Sequence, residues 1–185
     1  MQIGIPAEII AGETRVAATP DTVKKYITAG YTVVVQAGAG VNASVPDASF
    51  SAVGASIVND AVTAYASDII LKVQAPTAEE IALIKDGATV VAMFDPYRNP
   101  NLAAFAAKNL QCFALELLPR TLSRAQNMDV LSSQSNLAGY KSVLLAANEY
   151  QRPFPMFMTS AGTVKPARIV IMGVGVAGLQ AIATA

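Results

Sequence analysis

Three glycines between positions 173 and 178 are spaced as in turns that bind phosphate groups. Gly173, Gly175 and Gly178 follow the apolar run 168–172, whose β-branched residues predict a buried parallel strand. The residues after them suit a helix, so the pattern predicts a strand, a glycine turn and a helix start. Such a turn lets a pyrophosphate approach the backbone while the amino end of the helix faces the anion. A strand and helix without a ligand, or a membrane span, are the alternatives.

A second candidate site is the polar stretch 119–136, which holds two arginines, a glutamine, an aspartate and several hydroxyls. Such side chains at the end of a strand are typical of a ligand site in an open α/β sheet. Either Arg120 or Arg124 can form a forked ion pair with Asp129. The Gln126 carboxamide can both donate to and accept from a nicotinamide carboxamide.

Two interpretations of this stretch are open. Gln126, Asp129 and Ser132 are three residues apart, so they share one face if the next helix begins early. Serine, asparagine and aspartate at a helix start are also the residues that cap a helix. The stretch is therefore either a ligand site or a helix cap with a surface ion pair.

Composition limits the classes of function. An apolar content of 53% with only 14% charged residues is typical of a parallel sheet covered by helices. The 13 basic and 13 acidic residues balance, which gives no reason to propose nucleic acid as a partner. Histidine is absent, so these residues contain no imidazole acid, base or metal ligand, and no metal site is expected. Cys112 lies in an apolar run and is predicted to be a small buried residue.

Strand and helix patterns alternate over the first 115 residues, which predicts an α/β fold with a doubly wound, Rossmann-like parallel sheet. The predicted strands are 3–5, 31–36, 56–58, 68–73, 88–94 and 111–115. The first predicted helix begins at Thr19, and four further helices are predicted over 47–53, 60–65, 79–84 and 102–108.

One long helical pattern then runs from Asn127 to Tyr150, and prolines end it. The predicted organisation is an N-terminal α/β domain (1–126), a linking helix and connector (127–166), and a truncated Rossmann nucleotide-binding domain (167–185). The last of these holds a first strand, the glycine turn and a helix start. The sequence is interpreted as a piece of a longer polypeptide, with the ribose-binding acid beyond it.

The whole sequence resembles the alanine dehydrogenase and transhydrogenase superfamily. The similar motifs in the first half are IGIPAE, ETRVAATP, VVVQAGAG and ILKVQAP. More specific are the runs SRAQNMDVLSSQSNLAGYKSV and FPMFMTSAGTVKPARIVIMGVGVAGLQAIATA, which resemble the NAD-binding alpha subunits of proton-translocating NAD(P) transhydrogenases.

The resemblance implies NAD(H) as the cofactor of this chain. The cofactor-binding residues that it implies are Arg120, Arg124, Gln126, Asp129, Ser132, Gly173, Gly175, Val176 and Gly178. Arg120, Gln126 and Asp129 are expected to position the nicotinamide for catalysis. The segment 120–124 is one residue longer than the family pattern, so Arg124 is an alternative to Arg120.

The resemblance also implies a function in a larger assembly. Hydride is expected to pass from NADH to NADP(H) on a partner subunit, coupled to proton movement through a membrane subunit. The resemblance implies a homodimer. Its expected location is the cytoplasmic side of the inner membrane, where partner subunits would hold it. No membrane span is expected in this chain. The piece alone is expected to be inactive.

Two other functions stay open at this point. One is an alanine dehydrogenase-like enzyme with an altered site, because the catalytic lysine of that branch falls at Gln74 and its catalytic histidine near Asp95. The other is a non-catalytic interaction module. Hydride exchange between two nicotinamides needs positioning rather than an acid or base, which favours the transhydrogenase interpretation.

Overall fold

Six short runs of β-branched and apolar residues form one parallel sheet. The computed structural model describes residues 1–185, which divide into two compact units, Met1–Leu118 and Pro119–Ala185. The strands of the first unit are β1 (Gln2–Ile5), β2 (Thr32–Gln36), β3 (Ser56–Val58), β4 (Ile69–Gln74), β5 (Thr89–Met93) and β6 (Gln111–Ala114). They lie in the order β3-β2-β1-β4-β5-β6, and every neighbouring pair is parallel. This is the order of doubly wound nucleotide-binding folds, so the predicted fold class is confirmed.

Five helices connect these strands, and the first begins after Thr19 as predicted. They are α1 (Pro20–Thr28), α2 (Asp47–Ala52), α3 (Ala61–Tyr65), α4 (Ala78–Leu83) and α5 (Leu102–Ala107). The Thr19 side chain accepts a hydrogen bond from the backbone N–H of Thr22 at the start of α1. At the start of α4, Thr77 and Glu80 form a reciprocal capping box.

The sheet has a separate hydrophobic core on each face. Ile3 and Ile5 point to the face covered by α1 and α2, where Val23 and Phe50 are fully buried. Helices α3, α4 and α5 cover the opposite face. Its core includes Tyr65, Ile70, Ile81, Ile84, Val90, Phe94 and Phe105. Because side chains alternate along each strand, neighbouring residues of one strand supply both cores.

A buried lysine in β4 joins two carboxylates inside the first unit. The Lys72 Nζ lies 2.6 Å from Oε1 of Glu80 and 3.4 Å from Oε2 of Glu8. The Tyr65 hydroxyl donates to the same oxygen of Glu80 at 2.5 Å, and the Val73 N–H donates to Glu8 at 2.6 Å. Burial raises the pKa of Glu8, which the charge of Lys72 partly opposes. These charged groups therefore bind one another.

Strand β6 is the edge of the sheet, and its side chains are poorly covered. Cys112 is exposed, as is Phe113, whose relative exposure is 58%. The prediction that Cys112 is buried was wrong, because β6 pairs only with β5 and has no strand on its outer side. An apolar run has the same sequence pattern on an edge strand as on a central strand, but its side chains are less buried on the edge strand.

The second unit contains the long helix and the glycine turn. Its elements are α6 (Ser123–Gln126), α7 (Val130–Glu149), the antiparallel hairpin of β7 (Phe157–Thr159) and β8 (Gly162–Val164), and α8 (Val176–Thr184). The predicted long helix is present as α7, which begins three residues later than expected and packs against α8. None of the helices combines the length and apolarity needed to cross a membrane.

The predicted strand before the glycine turn is absent. Residues 168–172 form no strand and pair with no other strand. A strand requires the ladder hydrogen bonds of a neighbour, and β-branched composition alone cannot supply them. The hairpin was also missed, because its residues were assigned to a connector. The predicted domain limits at 126 and 166 stay predictions beside the observed division at Leu118.

Candidate functional site

The three glycines of the turn differ in the structural reason for the absence of a side chain. Gly173 has a φ of +109°, a conformation that L side chains rarely adopt. A methyl group on Gly178 would collide with the carbonyl oxygen of Gly173. Gly175 has an ordinary backbone, with φ −74° and ψ −173°, and a methyl group there would meet nothing within 4 Å. No contact within the chain explains a glycine at 175, whereas close approach of a ligand to its backbone does.

Helix α8 begins directly after Gly175, and no side chain caps it. The first N–H groups of a helix have no acceptor within the helix, so those of α8 stay available. Together with the helix dipole they favour an anion at this end.

An open cavity of about 380 Å³ lies in front of this helix end, within the second unit. Its lining consists of Arg120, Ser132, Ser135, Met172, Gly173, Gly175, Val176, Ala177 and Gly178. Arg120 and Ser132 from the polar stretch thus share one cavity with every predicted residue of the glycine turn. The guanidinium and the helix end give the cavity a positive character, and no carboxylate lines it.

Asp129 and Ser132 form the cap of α7. Oδ1 of Asp129 accepts from the Ser132 N–H at 2.9 Å, and Oδ2 accepts from the Ser132 hydroxyl at 2.6 Å. These bonds, with a smaller contribution from the charge of Arg120, hold the pKa of Asp129 below its ordinary value. No ion pair joins Asp129 to Arg120 or Arg124. The cap is therefore formed and the forked pair is not, yet Ser132 still lines the cavity.

Gln126 and Arg124 do not line the cavity. Both lie on α6 and are exposed to solvent. The chain turns after Gln126, whose carbonyl accepts from the Asp129 N–H at 3.2 Å. Gln126, Asp129 and Ser132 would share one helix face only if a single helix held all three. Because α6 and α7 are separate helices, they do not share a face.

Three lining residues were missed from the sequence. Met172 and Ala177 lie beside the glycines of the turn, and Ser135 lies on α7. Ser135 follows Ser132 by three residues, so helical spacing could have indicated it.

Comparison with known proteins places this chain in one family. Residues 4–138 match Alanine dehydrogenase/PNT, N-terminal domain, and residues 142–185 match Alanine dehydrogenase/PNT, C-terminal domain. The class that fold and site define is thus a doubly wound α/β protein with a glycine turn. The chain belongs to the alanine dehydrogenase/PNT family.

Within that family the chain is similar to transhydrogenases. It is 51% identical to an NAD(P) transhydrogenase subunit alpha polypeptide of Rhodospirillum rubrum over 192 aligned positions, which cover 100% of this chain and 50% of the relative. The crystal structure of transhydrogenase from Sinorhizobium meliloti matches with a TM-score of 0.94 and 50% identity, over 100% of this chain and 53% of that one.

Similarity to the other branch of the family is lower. Alanine dehydrogenase of Mycolicibacterium smegmatis is 32% identical, over 98% of this chain and 49% of the relative. The chain spans about half the length of the R. rubrum relative, the S. meliloti structure and this dehydrogenase. The resemblance predicted from the sequence is confirmed.

Proposed function

We propose that this chain is the portion of a proton-translocating NAD(P) transhydrogenase that binds NAD(H) and passes hydride to NADP(H) on a partner subunit. The observation that carries the proposal is Gly175, where the backbone is ordinary and a side chain would meet only open space. A glycine at such a position is explained by a ligand that must come closer to the backbone than a side chain allows. The names of the relatives supply the class of ligand.

The residues of the cavity fit a dinucleotide. The uncapped end of α8 supplies backbone N–H donors for a pyrophosphate, and Gly175 leaves room for it. Arg120 lines the cavity and adds a positive charge, whereas Arg124 does not line it. The structure thus favours Arg120 for the loop arginine role.

Asp129 acts as a positioning residue in this proposal. Its carboxylate holds the backbone and the hydroxyl of Ser132, so it fixes a residue that lines the cavity. Gln126 is exposed at the end of α6 and keeps its predicted role of orienting the nicotinamide carboxamide. The bound nicotinamide supplies the hydride chemistry, and the task of these side chains is to hold its ring in position.

The alanine dehydrogenase alternative receives no support from the first unit. Gln74 stands where that branch has its catalytic lysine, and its amide donates to Oε2 of Glu13 at 2.8 Å. Arg15 is bound to the same carboxylate, with an Nη2 to Oε2 distance of 2.6 Å. These three side chains are engaged with one another, and none is an amine base for proton transfer.

The partners belong to the same proposal. A membrane subunit and an NADP-binding subunit complete the enzyme, the chain forms a homodimer, and it lies at the cytoplasmic side of the inner membrane through those subunits. The relatives named as subunit alpha support an assembly of several subunits.

The first experiment measures NADH binding by the full-length protein and compares Gly175→Ala with wild type. A methyl group at 175 contacts no protein atom, so folding is expected to be unchanged while NADH affinity falls about tenfold or more. Ser142→Ala is the matched control, because Ser142 bonds to the Gly139 carbonyl and does not line the cavity. Equal NADH affinity of wild type and Gly175→Ala would overturn the proposal.

Hydride transfer tests the loop separately. With the partner subunits present, Gln126→Ala and Asp129→Ala are expected to lose most transhydrogenation while keeping most NADH affinity. Normal transfer by both variants would leave Asp129 as a helix cap only and refute the roles given to these residues.

A further inference from the structure

We propose that Glu116 is a positioning residue that acts through Arg120, by fixing the segment that leads from β6 to this arginine. The inference rests on the proposed NAD(H) site and adds a residue to it. Glu116 lies in the single-turn helix Leu115–Leu117, which follows β6 directly. Glu116 itself does not line the cavity, whereas Arg120, four residues further along the chain, does.

The carboxylate of Glu116 binds the backbone at the end of β5. Its Oε1 accepts hydrogen bonds from the N–H of Phe94 at 2.7 Å and from the N–H of Asp95 at 2.5 Å. The last backbone pair of β5 and β6 joins Ala92 to Ala114, so both N–H groups lie just beyond it. The carboxylate therefore continues the contact between the two strands where the backbone ladder stops.

The turn to which Glu116 is bound is itself held in place. Phe94 is buried, and its ring lies edge-on to that of Phe105 with the centroids 5.3 Å apart. The Phe94 carbonyl accepts from the side-chain amide of Asn99 at 2.8 Å. The Asp95 carbonyl accepts from the Asn99 N–H at 2.9 Å. The backbone that receives the carboxylate is thus restrained from both sides.

Stability alone does not explain a glutamate at this position. The second carboxylate oxygen, Oε2, is buried and has no hydrogen-bond partner within the chain. Burial of an unsatisfied carboxylate oxygen opposes folding. A requirement to hold the following segment in one place gives a reason for the arrangement.

Two successive turns without glycine connect this anchor to Arg120. The N–H of Leu118 donates to the carbonyl three residues before it at 3.3 Å, and the N–H of Leu122 donates to the Pro119 carbonyl at 2.9 Å. Arg120 is the second residue of the latter turn, and the proline before it has a fixed φ. Because these turns restrict the backbone on both sides of Pro119, a displacement of Glu116 is expected to displace Arg120.

The experiment is a double-mutant cycle in the full-length protein. Dissociation constants for NADH are measured for wild type, Glu116→Ala, Arg120→Ala and the double variant. We expect each single substitution to weaken NADH binding about tenfold, because the arginine loses either its charge or its position. In the Arg120→Ala background, Glu116→Ala should weaken binding less than about twofold, since no arginine is left to position. Glu116→Gln keeps an acceptor oxygen for the two backbone N–H groups and should retain most of the affinity.

Asp47→Ala is the matched control for the loss of a carboxylate bound to the backbone. The Asp47 carboxylate accepts from the N–H of Gly38 at 2.9 Å, and neither residue lines the cavity. This variant should bind NADH like wild type. Circular dichroism shows which variants are folded. If Glu116→Ala does not fold, Glu116→Asp takes its place in the cycle, because it keeps the charge and shortens the side chain by a methylene group.

The outcomes separate the inference from the proposed function. If wild type binds NADH and Glu116→Ala binds it equally well, Glu116 has no positioning role while the proposed function stands. Equal losses from Glu116→Ala with and without Arg120 would show that Glu116 does not act through the arginine, and this also overturns the inference. If wild type does not bind NADH, the proposed function fails and the inference fails with it.

Discussion

The buried ion pairs of the first unit are closed on themselves, whereas an arginine and two serines of the second unit line a cavity. In the first unit, Glu8, Lys72 and Glu80 are buried and paired at the carboxyl ends of β1 and β4. The strand order reverses between β1 and β4, which is where doubly wound folds usually hold ligands. In the second unit, Arg120 and Ser135 line open space. Strand order alone would therefore point to the first unit, whereas the available donors favour the cavity of the second unit as the proposed site.

The largest expected effect is on the closed network of the first unit. Lys72→Met should destabilise the fold by about 3–5 kcal/mol, because Glu8 and Glu80 would stay buried without their cation. Urea unfolding measures the change, and Lys24→Met, at an exposed lysine, is the control with little expected effect. If both variants unfold at the same urea concentration, the network contributes nothing specific.

A smaller loss of stability is expected from adding a methyl group at the contact between α7 and α8. Gly139→Ala should destabilise that unit by about 2 kcal/mol, because a clash with the Ala177 carbonyl outweighs a gain of about 1 kcal/mol in helix propensity. Amide hydrogen exchange in α8 reports the loss. Gly175→Ala, which meets no atom, should leave the exchange of α8 unchanged. Equal protection in the two variants would show that α7 and α8 do not pack as described.

Acid should weaken the first unit through Glu13. Hydrogen bonds from Arg15, followed by the Gln74 amide, lower the pKa of Glu13 from 4.5 to about 2. Since the folded pKa lies below the unfolded value, this stabilisation is present above pH 4.5 and is lost as the pH falls toward 2. We expect about 1–2 kcal/mol, because the partly exposed Arg15 lets water screen the pair. Glu13→Gln should make the unfolding free energy depend less on pH in this range. An unchanged pH dependence would show that Glu13 is not the group responsible.

The smallest effect on stability is expected at Asp129, where it separates the capping role from the proposed positioning role. Asp129→Ala should lower stability slightly through loss of the cap, whereas Asp129→Asn keeps a capping oxygen and should lower it less. Thermal unfolding measures both variants. If Asp129→Asn keeps stability but loses hydride transfer, the charge has a function beyond the cap. If it keeps both, capping is sufficient.

The first unit could be predicted from the sequence almost element by element. Local signals were strong there, such as the Thr19 cap before Pro20 and the capping box of Thr77 and Glu80. Each of these signals depends only on residues a few positions apart, so it does not depend on the tertiary arrangement. The burial of Cys112 was mispredicted because cover depends on where β6 lies in the sheet.

The candidate site was only partly predictable. The glycine spacing located the turn, and the types of residue in the polar stretch indicated a site or a cap. The strand over 168–172 failed because pairing requires a neighbour that local sequence does not specify. Ser135 was missed although it follows Ser132 by three residues, because only the folded structure shows that both serines face the cavity.

The sequence by itself determined the family, the alternation of strands and helices, and the positions of the glycine turn and the helix caps, because these depend on short-range chemistry. The tertiary structure decided that Arg120 rather than Arg124 lines the cavity and that Asp129 bonds to Ser132 rather than to an arginine. It also decided that Gly175 faces open space. These features depend on how α7 and α8 pack and on where the chain turns between α6 and α7, which residues distant in sequence determine together.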